Sequence, residues 1–224
     1  MRALPFEQFP ALTAVPRLHH AFTLRVAGIN VSHDKSTALA RLDRVHHEIR
    51  DAVGLGALPF VTAEQVHGDR IGVVGKSNSR NFCFPGCDGL ITNLPKVCLG
   101  IYVADCCAIY LVDRVQGALG LVHSGRKGTE LNIVGSAISQ MSDRFGCEPH
   151  NVIAQFSPCI RPPHYEVDFS SEIERQCRAA GILQIHATPA CTASDLTRYY
   201  SYRMEKGRTG RMLALLARDA EAND

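Results

Sequence analysis

Tryptophan is absent, and phenylalanine and tyrosine together make up only 7% of the 224 residues. That leaves no aromatic platform for stacking unpaired bases. Charge of one sign is just as scarce: 24 lysines and arginines face 22 aspartates and glutamates. No basic block or stripe offers the footprint that nucleic acid requires. Long apolar runs are also missing. Nothing approaches the ~20 residues of a membrane-spanning helix, and no apolar segment follows a basic start. A cytoplasmic protein with neither nucleic acid nor membrane as partner is expected. No internal repeat or low-complexity linker divides the chain, so residues 1–224 are expected to form one domain, with residues 1–18 as an irregular, proline-containing lead-in.

What is there suits a soluble globular core: 46% hydrophobic and 21% charged residues. Nine cysteines in a reducing compartment are expected to be free thiols, most of them small buried hydrophobes. The pattern predicts a strand over 20–26 and a helix over 37–53, where Leu39, Leu42, His46, Ile49 and Val53 form one stripe. Strands over 60–66 and 70–74 flank a turn at Gly68-Asp69. Further strands are predicted over 89–92, 97–103, 108–112 and 118–122, then one long helix over 128–145 closed by Gly146. A strand over 152–156, a helix capped by Ser170 or Ser171, and strands over 184–187 and 211–216 complete a mixed α/β (or α+β) fold, a mixed sheet flanked by helices.

Three segments stand where hydrophobic strands give way to small or polar residues: Gln65-Val66-His67-Gly68, Ala104-Asp105-Cys106-Cys107 and His123-Ser124-Gly125-Arg126-Lys127-Gly128-Thr129. Loops at sheet ends collect functional groups because the strands hold them rigidly. Imidazole and thiolate are the donors zinc prefers, and three protein ligands with a fourth position open is the catalytic pattern. The spacings match no zinc-finger template. A histidine at a strand end is more often a surface or core residue, and a cysteine after a buried strand is more often packing. Cys83 and Cys87 read as loop thiols, and the pairs His19-His20 and His46-His47 read as structural.

Taken in order, these segments resemble the YfiH family, also called the laccase-domain or polyphenol oxidase family. The likeness includes Asp88 to Thr92, Ala104 to Cys106 with Asp113, His123 to Thr129, Ser157 to Ile160, Tyr165 to Val167, Ser201 to Arg203 and Gly210-Arg211, and it runs from about His20 to Ala217. It implies a Cys-His-His metal site whose ligands carry over to His67, Cys106 and His123, with Cys106 and His123 at the chemistry. Some family members are described as purine nucleoside phosphorylases with adenosine deaminase activity, or as peptidoglycan editing factors. The resemblance therefore implies a zinc enzyme that acts on purine nucleosides, by phosphorolysis with phosphate as co-substrate, by deamination of adenosine, or by both. Copper is disfavoured, because one Cys-His-His set supplies too few ligands for the several coppers of oxygen reduction. The family's Ala-Gly-Trp-Arg stands here as Ser124-Gly125-Arg126-Lys127, which removes an aromatic and adds a cation.

Asp105 is the carboxylate nearest Cys106 and is expected to shuttle a proton or orient a ligand; Asp88 is a second candidate. The resemblance places Arg25 against substrate. Gln65, two residues before His67, is expected on the same strand face and against substrate. Arg126 and Lys127 at a helix start would favour an anion. The chief rival is a metal-free Cys106–His123 hydrolase or deamidase, including one that edits cell-wall precursors; it has no need of His67. A non-enzymatic module with a vestigial site is a third reading. The pattern specifies no oligomeric state.

Overall fold

β-Branched and aliphatic runs alternate with two amphipathic stripes, and they fold into two mixed six-stranded sheets packed face to face. The computed structural model describes residues 4–78 and 81–220. The first sheet has the order β1-β2-β12-β7-β3-β5, made of β1 (Phe6–Glu7), β2 (Leu18–Thr23), β12 (Met212–Arg218), β7 (Cys98–Val103), β3 (Phe60–Ala63) and β5 (Phe82–Phe84). The second has the order β11-β10-β8-β9-β6-β4, made of β11 (Gln184–Ala187), β10 (Val152–Phe156), β8 (Cys107–Asp113), β9 (Leu119–Ser124), β6 (Gly89–Thr92) and β4 (Ile71–Val73).

Period-2 alternation decides what each face buries. In β12, Met212, Ala214 and Leu216 point into the core between the sheets, while Leu213, Leu215 and Ala217 point outward. In β8, Ala108, Tyr110 and Val112 face the same inner core, and Cys107, Ile109 and Leu111 face the other way. Helix α2 (Lys35–Ala52), begun by Asp34 accepting from the Thr37 N–H, covers the outside of the first sheet through Ile49. Helices α4 (Ile133–Phe145) and α5 (Phe169–Ala179) cover the outside of the second through Val134, Met141, Ile173 and Cys177. The expected mixed α/β architecture is present, and both sheets are sandwiched by helices. No helix among the described residues is long and apolar enough to cross a membrane.

Four local expectations differ from the structure. The lead-in is partly regular: β1 pairs with β2, and α1 (Pro10–Thr13) packs Leu12 into the inner core. The strand expected over 60–66 ends at Ala63, and the segment around Gly68-Asp69 joins two sheets, since β3 pairs parallel with β5 and β7, and β4 pairs parallel with β6 in the other sheet. The long helix over 128–145 is two helices, α3 (Arg126–Glu130) and α4. Asn132 between them adopts a left-handed conformation (φ 55°), which asparagine tolerates better than most residues, and caps α4 by accepting from the Gly135 N–H. Asp168, not a serine, caps α5, accepting from both the N–H and the hydroxyl of Ser171. Gly146 closes α4 in the left-handed conformation, as its position predicts.

Two buried histidines couple this core to pH. His20 Nε2 accepts the Phe9 N–H at 2.7 Å, so its ring must be neutral. His46 is 3% exposed, and its Nε2 has no hydrogen-bond partner among the described residues. Burial pushes both from 6.5 down to about 4, with the neighbouring His19 adding to the effect at His20. In the unfolded chain they titrate near 6.5, so below that pH the unfolded state takes up protons that the folded state refuses. Stability is complete above 6.5 and falls as pH drops toward 4. By pH 5 each histidine is expected to cost about 2 kcal/mol. Urea denaturation at pH 7 and pH 5 measures this. A denaturation midpoint that does not move, or a His46→Leu variant with the same pH dependence as the parent, would contradict it.

Candidate metal centre

Three stretches of chain cross from the first sheet to the second, and two of them carry a donor. Residues 64–70 link β3 to β4 and bear His67; residues 104–106 link β7 to β8 and bear Cys106. The third donor, His123, sits near the end of β9, opposite Ala108 of β8. One ligand atom from each of His67, Cys106 and His123 lies within 4.8 Å of the others. His67 is exposed, Cys106 is half-buried and His123 is buried, so the group opens on one side to solvent. Among the described residues it is the only such cluster of three or more histidine, cysteine or acidic side chains.

The crossings are held in a backbone conformation unusual for non-glycine residues: φ is 65° at Gln65, 62° at His67 and 80° at Asp105. Buried polar groups fix each one. Gln65 Nε2 donates to the Tyr102 carbonyl at 2.5 Å, and its Oε1 accepts the Tyr102 N–H at 2.9 Å. Asp88, wholly buried just before β6, binds the same crossing. Its Oδ2 accepts the N–H groups of Val66 and Gly68, and its Oδ1 accepts the N–H of His67 at 2.8 Å and Nδ1 of His123 at 2.9 Å. Asp105 Oδ1 accepts the Thr192 hydroxyl at 2.6 Å; its Oδ2 accepts the Ser201 hydroxyl and the Arg203 N–H. Gly125 has a steric role, because a Cβ there would lie 2.5 Å from Cys106 Sγ.

These contacts set the charges. Burial disfavours the Asp88 carboxylate, but the His123 and backbone hydrogen bonds prevail and hold it at about 2. An ionised carboxylate can only accept, so Nδ1 of His123 carries the proton and Nε2 is left as its metal-binding nitrogen. Burial likewise opposes a thiolate at Cys106, yet His123 and His67 draw it down to about 6. His123 rises to about 9 against burial, through Cys106 and Asp88. The donor set therefore favours a thiolate before any ion arrives. A buried carboxylate orienting a histidine is the outer support that metal-binding imidazoles generally need. The residues fit a divalent ion that accepts sulfur and nitrogen.

A cavity of about 900 Å³ opens over the donors. Its walls include Gln65, Asp105, Arg126 and Lys127 from the sequence reading, and also Lys35, Tyr165, Tyr202 and Arg211. Other expectations need correction. Gln65 is not on a strand, and both ends of its amide are spent on Tyr102. Asp105 has donors on both oxygens, so it pins the Cys106 crossing to Ser201 and Arg203 and is not placed to shuttle protons. Asp88 takes the role of orienting a histidine. Arg25 is not among the cavity residues. Its guanidinium pairs with Glu205 at 2.5 Å, donates to the Tyr199 carbonyl and lies 4.5 Å from the Tyr200 ring centre. Arg126 is exposed and pairs with Glu130 at 2.9 Å. Cys107 points away from the site into the outer core of the second sheet, with Sγ 3.8 Å from the Ser157 carbonyl.

The family model described as multi-copper polyphenol oxidoreductase laccase matches residues 19–174 and 167–219. The chain belongs to this laccase-domain (YfiH) family. A relative in Geobacillus stearothermophilus, named purine nucleoside phosphorylase YlmD, is 30% identical over 72% of this chain and 73% of its own. One in Deinococcus radiodurans, named purine nucleoside phosphorylase, is 30% identical over 95% and 92%. The crystal structure of YlmD from Geobacillus stearothermophilus superposes with a TM-score of 0.87 at 23% identity, covering 98% of both chains. The family description speaks of several coppers, whereas the described residues here bring together a single three-donor group.

The wall residues missed from the sequence come from distant segments. Lys35 opens α2, Tyr165 lies between β10 and α5, and Tyr202 and Arg211 precede β12. Tyr165, Tyr202 and Arg211 fall inside the motifs that carried the family likeness, and that was the one available signal.

Proposed function

We propose that this laccase-domain protein is a metal-dependent purine nucleoside enzyme, with zinc held by His67, Cys106 and His123. The observation that carries the reading is the donor set itself: three convergent N and S atoms, one imidazole fixed by a buried carboxylate, at the floor of a cavity of small-molecule size. The names of the relatives supply the substrate class. When bound, zinc supplies Lewis-acid activation. The chain's own residues do the rest. Asp88 holds the Nδ1 proton of His123 and, through three backbone N–H groups, the conformation of the His67 crossing. Tyr165 and Tyr202 offer aromatic faces that replace the aromatic missing at Arg126, and stacking on a purine is worth about 1–3 kcal/mol. Lys127 and the other cations of the wall suit an anionic co-substrate.

Phosphorolysis is favoured over deamination. Attack by phosphate at the sugar carbon displaces the base, and it needs an anion site, which the cationic wall supplies. Deamination needs a carboxylate free to carry protons, and both oxygens of Asp105 are engaged. The Cys106 thiolate beside His123 also suits a metal-free hydrolase, and His67 separates the two readings. Incubating zinc-loaded protein with inosine and adenosine, with and without phosphate, distinguishes the outcomes by product. Free base and ribose 1-phosphate, formed only with phosphate, are expected. Inosine and ammonia from adenosine would make it a deaminase instead. No nucleoside product at all, together with hydrolysis of a small amide by zinc-free protein, would replace the reading with the cysteine hydrolase.

A further inference from the structure

Arg211 is a cation without a counter-ion. It is 9% exposed and lines the cavity, with its guanidinium carbon 5.6 Å from the Tyr202 ring centre. Among the described residues only its Nη1 is engaged, donating to the carbonyls of Thr209 and Gly210 at 2.8 and 2.9 Å. It makes no ion pair among the described residues. The carboxylates near it are already committed: Glu205 Oε2 to Arg25, Ser201 and Thr209, and Asp105 to Thr192, Ser201 and Arg203. The Cys106 thiolate, whose charge Arg211 also feels, would be neutralised by a metal.

Lys35 lines the same cavity, and its Nζ meets only the Glu64 carbonyl, at 3.2 Å. Burial, and then the positive charge of Arg211, hold its ammonium below the usual value. Two cations that repel each other, one of them buried, make a costly arrangement unless an anion joins them. The buried guanidinium keeps Nε and Nη2 free of protein acceptors, and these are the atoms that form a fork for a tetrahedral oxyanion.

We propose that Arg211, assisted by Lys35, forms an oxyanion subsite beside the His67–Cys106–His123 centre, and that it binds a phosphate group. The phosphate comes either from solution or from a phosphorylated substrate. This subsite rests on the proposed function only for its role in turnover; its binding of phosphate stands apart.

The test uses zinc-loaded parent, Arg211→Met, Arg211→Lys and Lys35→Met proteins. Inorganic phosphate affinity is measured by calorimetry, and zinc content is measured in the same samples to confirm an intact site. Loss of two charge-assisted hydrogen bonds is expected to weaken phosphate binding at least tenfold in Arg211→Met, with partial recovery in Arg211→Lys and a smaller loss in Lys35→Met. If phosphorolysis occurs, the KM for phosphate should rise by a similar factor. Inosine 5′-monophosphate is the second arm. If it binds the parent more tightly than inosine does, and loses that advantage in Arg211→Met, the subsite serves the substrate's own phosphate. Phosphate binding that depends on Arg211 in a parent protein that turns over no nucleoside would sustain the subsite and sink the functional reading. A parent that binds no phosphate at millimolar concentration, or a zinc-replete Arg211→Met protein that binds it as tightly as the parent, would overturn the subsite.

Discussion

Alanine at His67, Cys106 or His123 is expected to take bound zinc from about one per chain to near zero, and to lower nucleoside turnover on the order of a thousandfold. The magnitude follows from what a Lewis acid contributes, several kcal/mol at about 1.4 kcal/mol per factor of ten. Two remaining donors cannot hold the ion in a site already open on one side, where His67 is exposed. Cys107→Ala is the matching control. It removes a thiol one residue from Cys106 that faces the opposite core, so it should cost modest stability and leave zinc unchanged. Metal analysis of the four variants purified without chelator reads both expectations. Equal zinc loss in Cys107→Ala and Cys106→Ala would mean that the wrong thiol had been assigned.

Asp88→Asn is expected to weaken zinc affinity by about 10–100-fold without touching a ligand. The carboxylate accepts four hydrogen bonds, from His123 Nδ1 and from the N–H groups of Val66, His67 and Gly68. Asparagine keeps one oxygen and turns the other position into a donor, so it must face either the imidazole or the backbone of the His67 crossing with the wrong polarity. The His123 Nδ1 proton loses its anchor, and the ring is free to take the other tautomer. Competition titration against a chromophoric zinc chelator measures the change. Zinc affinity within twofold of the parent would show that Asp88 does not orient His123 in the way the geometry implies.

The donor triad was legible because each member sits where an apolar strand meets polar residues, and because the ordered motifs around it are specific. Its supports were less so. Asp88 could be read as a turn residue, since nothing in Asp88-Gly89 tells that four donors converge on it. Asp105 was overrated because proximity in sequence to Cys106 says nothing of Thr192 and Ser201, which reach it from the far end of the chain. Arg25 was drawn toward the substrate by its motif, but Glu205, distant in sequence, claims its guanidinium. In the sequence, Leu131, Val134, Ile138 and Met141 keep helical spacing across Asn132, so the left-handed residue that divides the helix left no trace in the periodicity, although Leu131 itself is exposed in the fold. The turn expected at Gly68-Asp69 gave no sign of the crossover, because local chemistry cannot show that the chain is changing sheets. Strands with β-branched, uniformly apolar runs were the easiest to place, since two packed sheets and their helices bury both faces.

The proposed metal-dependent nucleoside enzyme differs from a cysteine hydrolase in needing its metal for turnover. Stripping the protein of metal and adding zinc back in measured equivalents, while following inosine cleavage in phosphate buffer, tests this need most directly. Activity absent at the start, rising linearly and breaking at about one zinc per chain, is the result this account requires. Full activity in the stripped protein, unchanged by zinc and surviving His67→Ala, would contradict it.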